Sequence, residues 1–186
     1  MVNLKTNILK TLKYILLIIC FALTSCFSTK KLINESKNIP TEFSTERING
    51  IYKNKIGNDN RIGLWNILAD NKTFKRDWTL VSENSFVKIE LINETELRVS
   101  LIENDLVTKS MEFKGKVTNG YFSLKKKFLL IPIPALLFHR ERQTIIGNNE
   151  KGNLILTRGY KNGAWFLVMA ADVGGISSYE FEQKKN

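Results

Sequence analysis

From Val87 to Leu124, apolar side chains return at every second position within short runs, and each run stops at residues that favour tight turns. Val87, Ile89 and Leu91 alternate with Lys88 and Glu90, and Leu97, Val99 and Leu101 alternate with Arg98 and Ser100. Val107, Met111 and Phe113 interleave with Thr108, Ser110 and Glu112, and Phe122 and Leu124 follow. Side chains in a strand point alternately to opposite faces, so this rhythm predicts strands with one face in a core. A helix would need a repeat near 3.6.

The same reading extends over the rest of the chain. It predicts strands at 48–53, around Leu154 and Leu156, along the apolar run from Trp165 to Ala171, and around Tyr179 and Phe181. Asn104-Asp105, Asn119-Gly120 and Asn162-Gly163 are expected to turn hairpins, since these residue types tolerate positive φ. Asn93-Glu94 and residues 148–152 add further turns. The expected fold is all-β: an antiparallel up-and-down meander of about eight to ten strands. Closure into a small barrel would remove its exposed edges. One stretch departs from the rhythm. Asn58, Asp59 and Asn60 precede Ile62, Trp65 and Leu68 at helical spacing, which predicts a short helix or lid after the first strand.

The amino terminus has a different character. Lys5, Lys10 and Lys13, with no acid, precede an apolar run from Tyr14 to Leu23, about ten residues long where a membrane span needs about twenty. Leu23-Thr24-Ser25-Cys26 follows. This arrangement resembles the signal peptide and lipobox of bacterial lipoproteins. The resemblance implies cleavage before Cys26, lipidation of its thiol, and a mature protein held to the cell envelope by its acyl chains. The outer membrane is favoured in a Gram-negative cell, because Phe27 is not an inner-membrane retention signal. The expected division is a signal peptide over 1–25, a lipidated cysteine and flexible tether over 26–47, and the barrel domain over 48–186.

Charge and composition narrow the function further. The chain carries 28 Lys+Arg against 18 Asp+Glu, a formal charge of +10. A single His139 and two cysteines, Cys20 and Cys26, cannot supply a multi-histidine or four-thiolate metal site. With Cys20 removed in the signal peptide, no intramolecular disulfide is expected. One imidazole leaves little room for a catalytic triad, and Gly174-Gly175 lacks the Lys-Ser/Thr of a phosphate loop. No enzyme activity, cofactor or nucleic-acid partner is expected.

The pattern from Ile48 to Gln183 resembles the lipocalin-like, or calycin-type, small barrels of bacterial lipoproteins. Its matching residues are Gly50-Ile51-Tyr52, where that family has Gly-x-Trp, and Arg158, where the family places an arginine over that aromatic. The resemblance implies an interior able to hold an apolar molecule such as a lipid or acyl chain. Tyr52, Trp65, Val99, Leu101, Phe113, Phe122, Leu124 and Arg158 are the expected ligand or lid residues. The alternative is a non-catalytic module, packed solid, that meets another envelope protein.

One segment fits neither strand nor turn. Lys125, Lys126 and Lys127 precede an apolar run, Phe128 to Phe138, that includes Leu130, Ile131 and Ile133, is broken by Pro132 and Pro134, and is followed by Arg140 and Arg142. Proline cannot donate to a ladder, so the run is expected to stay out of regular pairing. It either folds over the barrel as core, the favoured alternative, or projects as an apolar, cation-flanked tip toward a membrane.

Overall fold

The computed structural model describes residues 28–36, 45–56, 59–74, 82, 84–118, 120–134, 136–166 and 169–184. The expected signal peptide over 1–25 and Cys26 lie outside them, as do Asn58 and Asn119. Eight strands follow one antiparallel path, β1 (Gly50–Lys53), β4 (Ser85–Asn93), β5 (Glu96–Glu103), β6 (Leu106–Thr118), β7 (Tyr121–Leu124), β9 (Leu136–Asn148), β10 (Leu154–Phe166) and β11 (Met169–Phe181). A ninth, β8 (Lys127–Ile133), also pairs with β9, and β2 (Lys55–Ile56) with β3 (Asp59–Gly63) makes a separate small hairpin. The all-β, antiparallel expectation holds.

The two ends of the path meet. Lys53 N donates to Glu182 O (2.9 Å) and Lys184 N donates to Ile51 O (2.8 Å), bridging Tyr52 to Gln183. A Cβ on Gly50 would sit 2.8 Å from Gln183 Nε2 and 3.2 Å from the Tyr52 hydroxyl, so a larger residue here would displace the Gln183 side chain and crowd Tyr52. The Tyr52 ring is wholly buried, and its hydroxyl accepts from Asn148 Nδ2 (3.0 Å) and donates toward the carbonyls of Arg47 and Ile48.

The two-residue rhythm delivers one apolar face. Tyr52, Val87, Ile89, Leu97, Val99, Leu101, Phe113, Phe122, Leu124, Ile146, Leu154, Leu156 and Phe181 form one cluster, into which Leu64, Trp65, Ile67 and Leu68 also pack. Those four belong to helix α3 (Leu64–Thr73), so the helix expected after the first strand is present and lies against the sheet's apolar face. Its start differs from expectation: residues 59–63 form β3, and the capping comes from Asn54. The Asn54 carbonyl accepts from Leu64 N and its side-chain oxygen from Trp65 N, both at 2.8 Å, satisfying orphan amides of the first turn.

Two further helices lie at the amino-terminal end, α1 (Thr29–Glu35) and α2 (Thr45–Ile48). The former falls in the expected tether, yet it is docked on the sheet's other face. Leu32 is fully buried against Tyr121 and Ile145, and hydroxyl pairs Thr29 with Ser123 (3.1 Å) and Ser36 with Thr157 (3.0 Å) fasten its ends.

The turns divide between expectation and correction. Asn104 and Asp105 both adopt positive φ, as a two-residue hairpin requires, and Gly120 and Gly152 do so in their turns. Asn162-Gly163 instead sits within β10, paired to Arg140 and His139 on one side and to Val173 and Asp172 on the other. A Cβ on Gly163 would lie 1.9 Å from Asp172 Oδ1 and 2.3 Å from the His139 ring, so this glycine makes room for neighbours rather than for a turn. The run from Trp165 to Ala171 is likewise two strands, β10 ending at Phe166 and β11 beginning at Met169.

The largest correction concerns Phe128 to Phe138. It pairs regularly, with Lys127 opposite Arg142, Ile131 opposite Phe138 and even Pro132 opposite Leu137. Pro132 is tolerated because β8 pairs on one side only among the described residues, an edge position where a missing N–H breaks no second ladder. Nor is the run core: Phe128, Leu130, Ile131, Ile133 and Phe138 are all exposed.

Candidate functional site

Strand β9 organises the site because it has two halves. From Glu141 to Asn148 every residue is buried, whereas residues 136–140 are exposed or half-buried except His139. The exposed half pairs with β8 on one side and with the distal half of β10 on the other, and β10 pairs in turn with β11. The result is a four-stranded extension beyond the packed body, which we term the blade.

Register fixes what each face of the blade presents. On the face continuous with the core, Arg142 stands beside Tyr160, Arg140 beside Asn162, Phe138 beside Ile131 and Ala164, and Leu136 beside Ile133 and Phe166. β11 adds Val173 beside Asn162 and Met169 beside Phe166. The surface therefore changes from cationic near the body to apolar at the tip. On the opposite face Phe128 stacks against His139 at 6.4 Å between centroids, and His139 meets Trp165 edge-on at 6.0 Å. Lys126 pairs with Glu141 (2.7 Å) and Lys161 with Asp172 (2.7 Å), while Leu130 stays exposed. Both faces of the blade thus carry exposed apolar side chains.

Where blade and body join, a half-open cavity of about 620 Å³ lies between α3 and the cationic rows. Asn66, Asp70 and Phe74 line it from the helix side, Arg140 and Arg142 from β9, and Arg158, Tyr160 and Asn162 from β10. Asp70 forms a tight ion pair with Arg158 and lies 4.0 Å from Arg142 Nε. The Arg142 guanidinium lies 5.8 Å from the centre of the Phe74 ring and 5.6 Å from that of Tyr160, and its Nη1 donates to Asn162 Oδ1 and to the Glu141 carbonyl, both at 2.9 Å. Burial lowers the Arg142 pKa and Arg158 and Arg140 push the same way, against Asp70 and Tyr160. The Nε atoms of Arg142 and Arg158 are buried without a hydrogen-bond partner among the described residues.

The residues expected to form a ligand interior have separate fates. Tyr52, Trp65, Val99, Leu101, Phe113, Phe122 and Leu124 are buried together in the core cluster, with α3 packed against them. Arg158 lines the cavity and is engaged by Asp70, while Tyr52 is engaged by Asn148, so each member of the family-like pair has its own partner. Lys127, Phe128, Leu130, Ile131, Ile133, Phe138 and Arg140 all lie on the blade, and Lys126 immediately precedes it.

Asn66, Asp70, Phe74, Tyr160 and Asn162 are cavity residues that sequence reasoning did not assign to a site. Asp70 had a usable signal, an acid late on a helix otherwise apolar toward the core. Among the described residues, no cluster of three His, Cys, Asp or Glu is placed to hold a metal, and no helix is long and apolar enough to cross a membrane. The chain matches no family model, no curated protein and no solved structure.

Proposed function

We propose that this chain is a bacterial envelope lipoprotein, anchored through lipidated Cys26, whose sheet closes as a small lipocalin-like barrel and whose blade contacts lipid. The Tyr52–Gln183 bridge and its two flanking backbone bonds support closure. The module is non-catalytic. Its apolar contact lies on the blade rather than inside the barrel, because α3 occupies the interior face where a ligand would sit.

The observation that carries this reading is the tip. Ile133 (48% exposed), Phe166 (45%) and Met169 (66%) share the outermost row of one blade face, and Ile131 (40%) and Phe138 (37%) share the row behind it. A clustered apolar tip marks lipid or protein contact. Open strand edges are not tolerated deep in hydrocarbon. Adjacent rows on one face of a strand are about 7 Å apart, so burying the outer two rows matches the roughly 5–10 Å penetration of interfacial segments.

The anchor favours the same arrangement. Thr29 lies three residues beyond Cys26 and lines a basic cleft with Lys114, Lys116, Lys125 and Lys126 at the base of the blade. Vesicle flotation of the full chain carrying Cys26→Ala tests the contact. The protein should float with lipid, and Ile131→Ser/Ile133→Ser/Phe138→Ser should abolish flotation without shifting its melting temperature by more than a few degrees. Flotation unaffected by the triple change, or absent from the start, rejects the blade as a lipid contact. A protein-interaction module remains the second reading, favoured by one observation: β8 and the distal part of β11 offer edges unpaired among the described residues.

A further inference from the structure

We infer that the cavity between α3 and the blade is a binding site for the anionic headgroup of a bilayer lipid, with Arg142 and Arg158 as its principal ligands and Arg140 at its rim. This rests on the blade's contact with lipid and adds the chemistry of the lipid recognised. Three guanidinium groups and, among the described residues, one carboxylate line the cavity. Asp70 is committed to Arg158, and Arg142 is more than nine-tenths buried with its Nε unpartnered. A buried charge without full compensation is costly, and an incoming anion supplies what is missing.

The geometry of the groups suits a phosphate better than a point charge. The Arg142 guanidinium lies near the rings of Phe74 and Tyr160, and its Nη1 is held by Asn162 and the Glu141 carbonyl, so the group is positioned before any ligand arrives. Planar guanidinium forks pair with phosphate oxygens through two parallel hydrogen bonds. A cavity of about 620 Å³ has space for a headgroup, and Arg140 and Asn162 extend its lining onto the blade.

Position along the blade identifies a membrane lipid as the source. Two row-steps separate Arg140 from Leu136 on the same face, about 13 Å at the usual strand rise. That is a few ångströms beyond the roughly 5–10 Å reach of an interfacial segment. When the apolar tip enters the interface, Arg140 at the cavity rim therefore comes to headgroup level, with the cavity directly above it. An acyl chain whose phosphate enters the cavity can follow Phe138, Ile131 and Ile133 toward the leaflet.

The test is flotation of the full chain carrying Cys26→Ala with phosphatidylglycerol or phosphatidylcholine vesicles, alone and with soluble glycerol phosphate. Binding to phosphatidylglycerol should be at least tenfold tighter than to phosphatidylcholine. Arg142→Lys should remove most of that preference, because it keeps the charge and loses the fork. Arg140→Gln, which leaves the Asp70 pair intact, should reduce it several-fold even if Arg142→Lys misfolds. Equal binding to both vesicles overturns the headgroup site and leaves the blade's lipid contact standing. A preference that survives both substitutions reduces the effect to diffuse surface charge and also overturns it. Glycerol phosphate that competes as tightly as the vesicle lipid makes the occupant a soluble anion and overturns the membrane source. Absence of flotation with either vesicle instead fails the underlying reading of the blade.

Discussion

Strands β9, β10 and β11 pass through two environments without a break in their ladders, and the two halves obey different rules. In the body, Ile146, Leu154, Leu156 and Phe181 are fully buried against other apolar residues. In the blade, the same strands expose Phe138, Phe166, Met169 and Val173. Hydrogen bonding is continuous across the junction, so ladder formation alone does not determine where the apolar face is covered. What changes is the third layer: α3 covers the body and stops at Thr73, level with the arginine rows. A stability map and a lipid-binding map of this protein should therefore be nearly complementary.

The strongest way to break that contrast is a charge in the body. Val99→Asp or Phe122→Asp places an unpaired carboxylate among fully buried side chains and should cost more than about 4 kcal/mol, seen as loss of the β circular dichroism signal at room temperature. Retention of a cooperative melt would mean that the body is not one core. Next in size, Trp65→Ala removes the largest α3 side chain from the cluster and should cost about 3–5 kcal/mol in chemical denaturation. A loss below about 1 kcal/mol would show α3 to be a dispensable cover.

At the junction, Asp70→Asn leaves Arg142 and Arg158 facing one another without their counter-charge, and a loss of about 2–4 kcal/mol is expected. Lipid with an anionic headgroup should restore part of that stability, readable as an upward shift in Tm. The smallest effects belong to the surface and the seam. Leu130→Ser in the blade should lie within about 0.5 kcal/mol of the parent protein, because its side chain is already in water. At the seam, burial raises the Tyr52 pKa above its ordinary 10.0, so the folded state prefers the protonated phenol. That preference is fully present below pH 10 and is lost as pH rises through the raised folded value. Tyr52→Phe should flatten this alkaline decline in a pH series of melts, while losing the hydrogen bond from Asn148 at every pH.

The body was legible in the sequence for a simple reason. Alternation in β4 and β5 is set by burial of one face, and that burial is what the structure displays for Val87, Ile89, Leu97 and Val99; in β6 it holds only near Phe113, since Met111 is half-buried and Val107, expected on the core face, is exposed. The helical spacing of Trp65 and Leu68 was equally readable, although Ile62, expected with them, falls in β3, and the cap was not readable because Asn54 reaches α3 across an intervening hairpin. The blade was illegible because its rules depend on neighbours. An apolar run with two prolines reads as irregular chain unless one knows that only one of its edges is paired. Asn162-Gly163 reads as a turn unless one knows that His139 and Asp172 occupy the space of a Cβ. The cavity posed the same problem, as Asp70, Arg142 and Arg158 lie far apart in the chain and only the register brings them together.

Helix α1 has a mechanical consequence. Tension on the chain preceding Ser28 reaches α1 before it reaches any strand, and there it meets the Thr29–Ser123 and Ser36–Thr157 hydroxyl pairs and the buried Leu32. These contacts spread the pull over β7, β9 and β10, in the interior of the sheet path, away from the single bridge between Tyr52 and Gln183. A load that would unzip the seam one bond at a time is instead resisted by several contacts at once. The helix is a strain relief, as on a cable that enters its housing through a clamp.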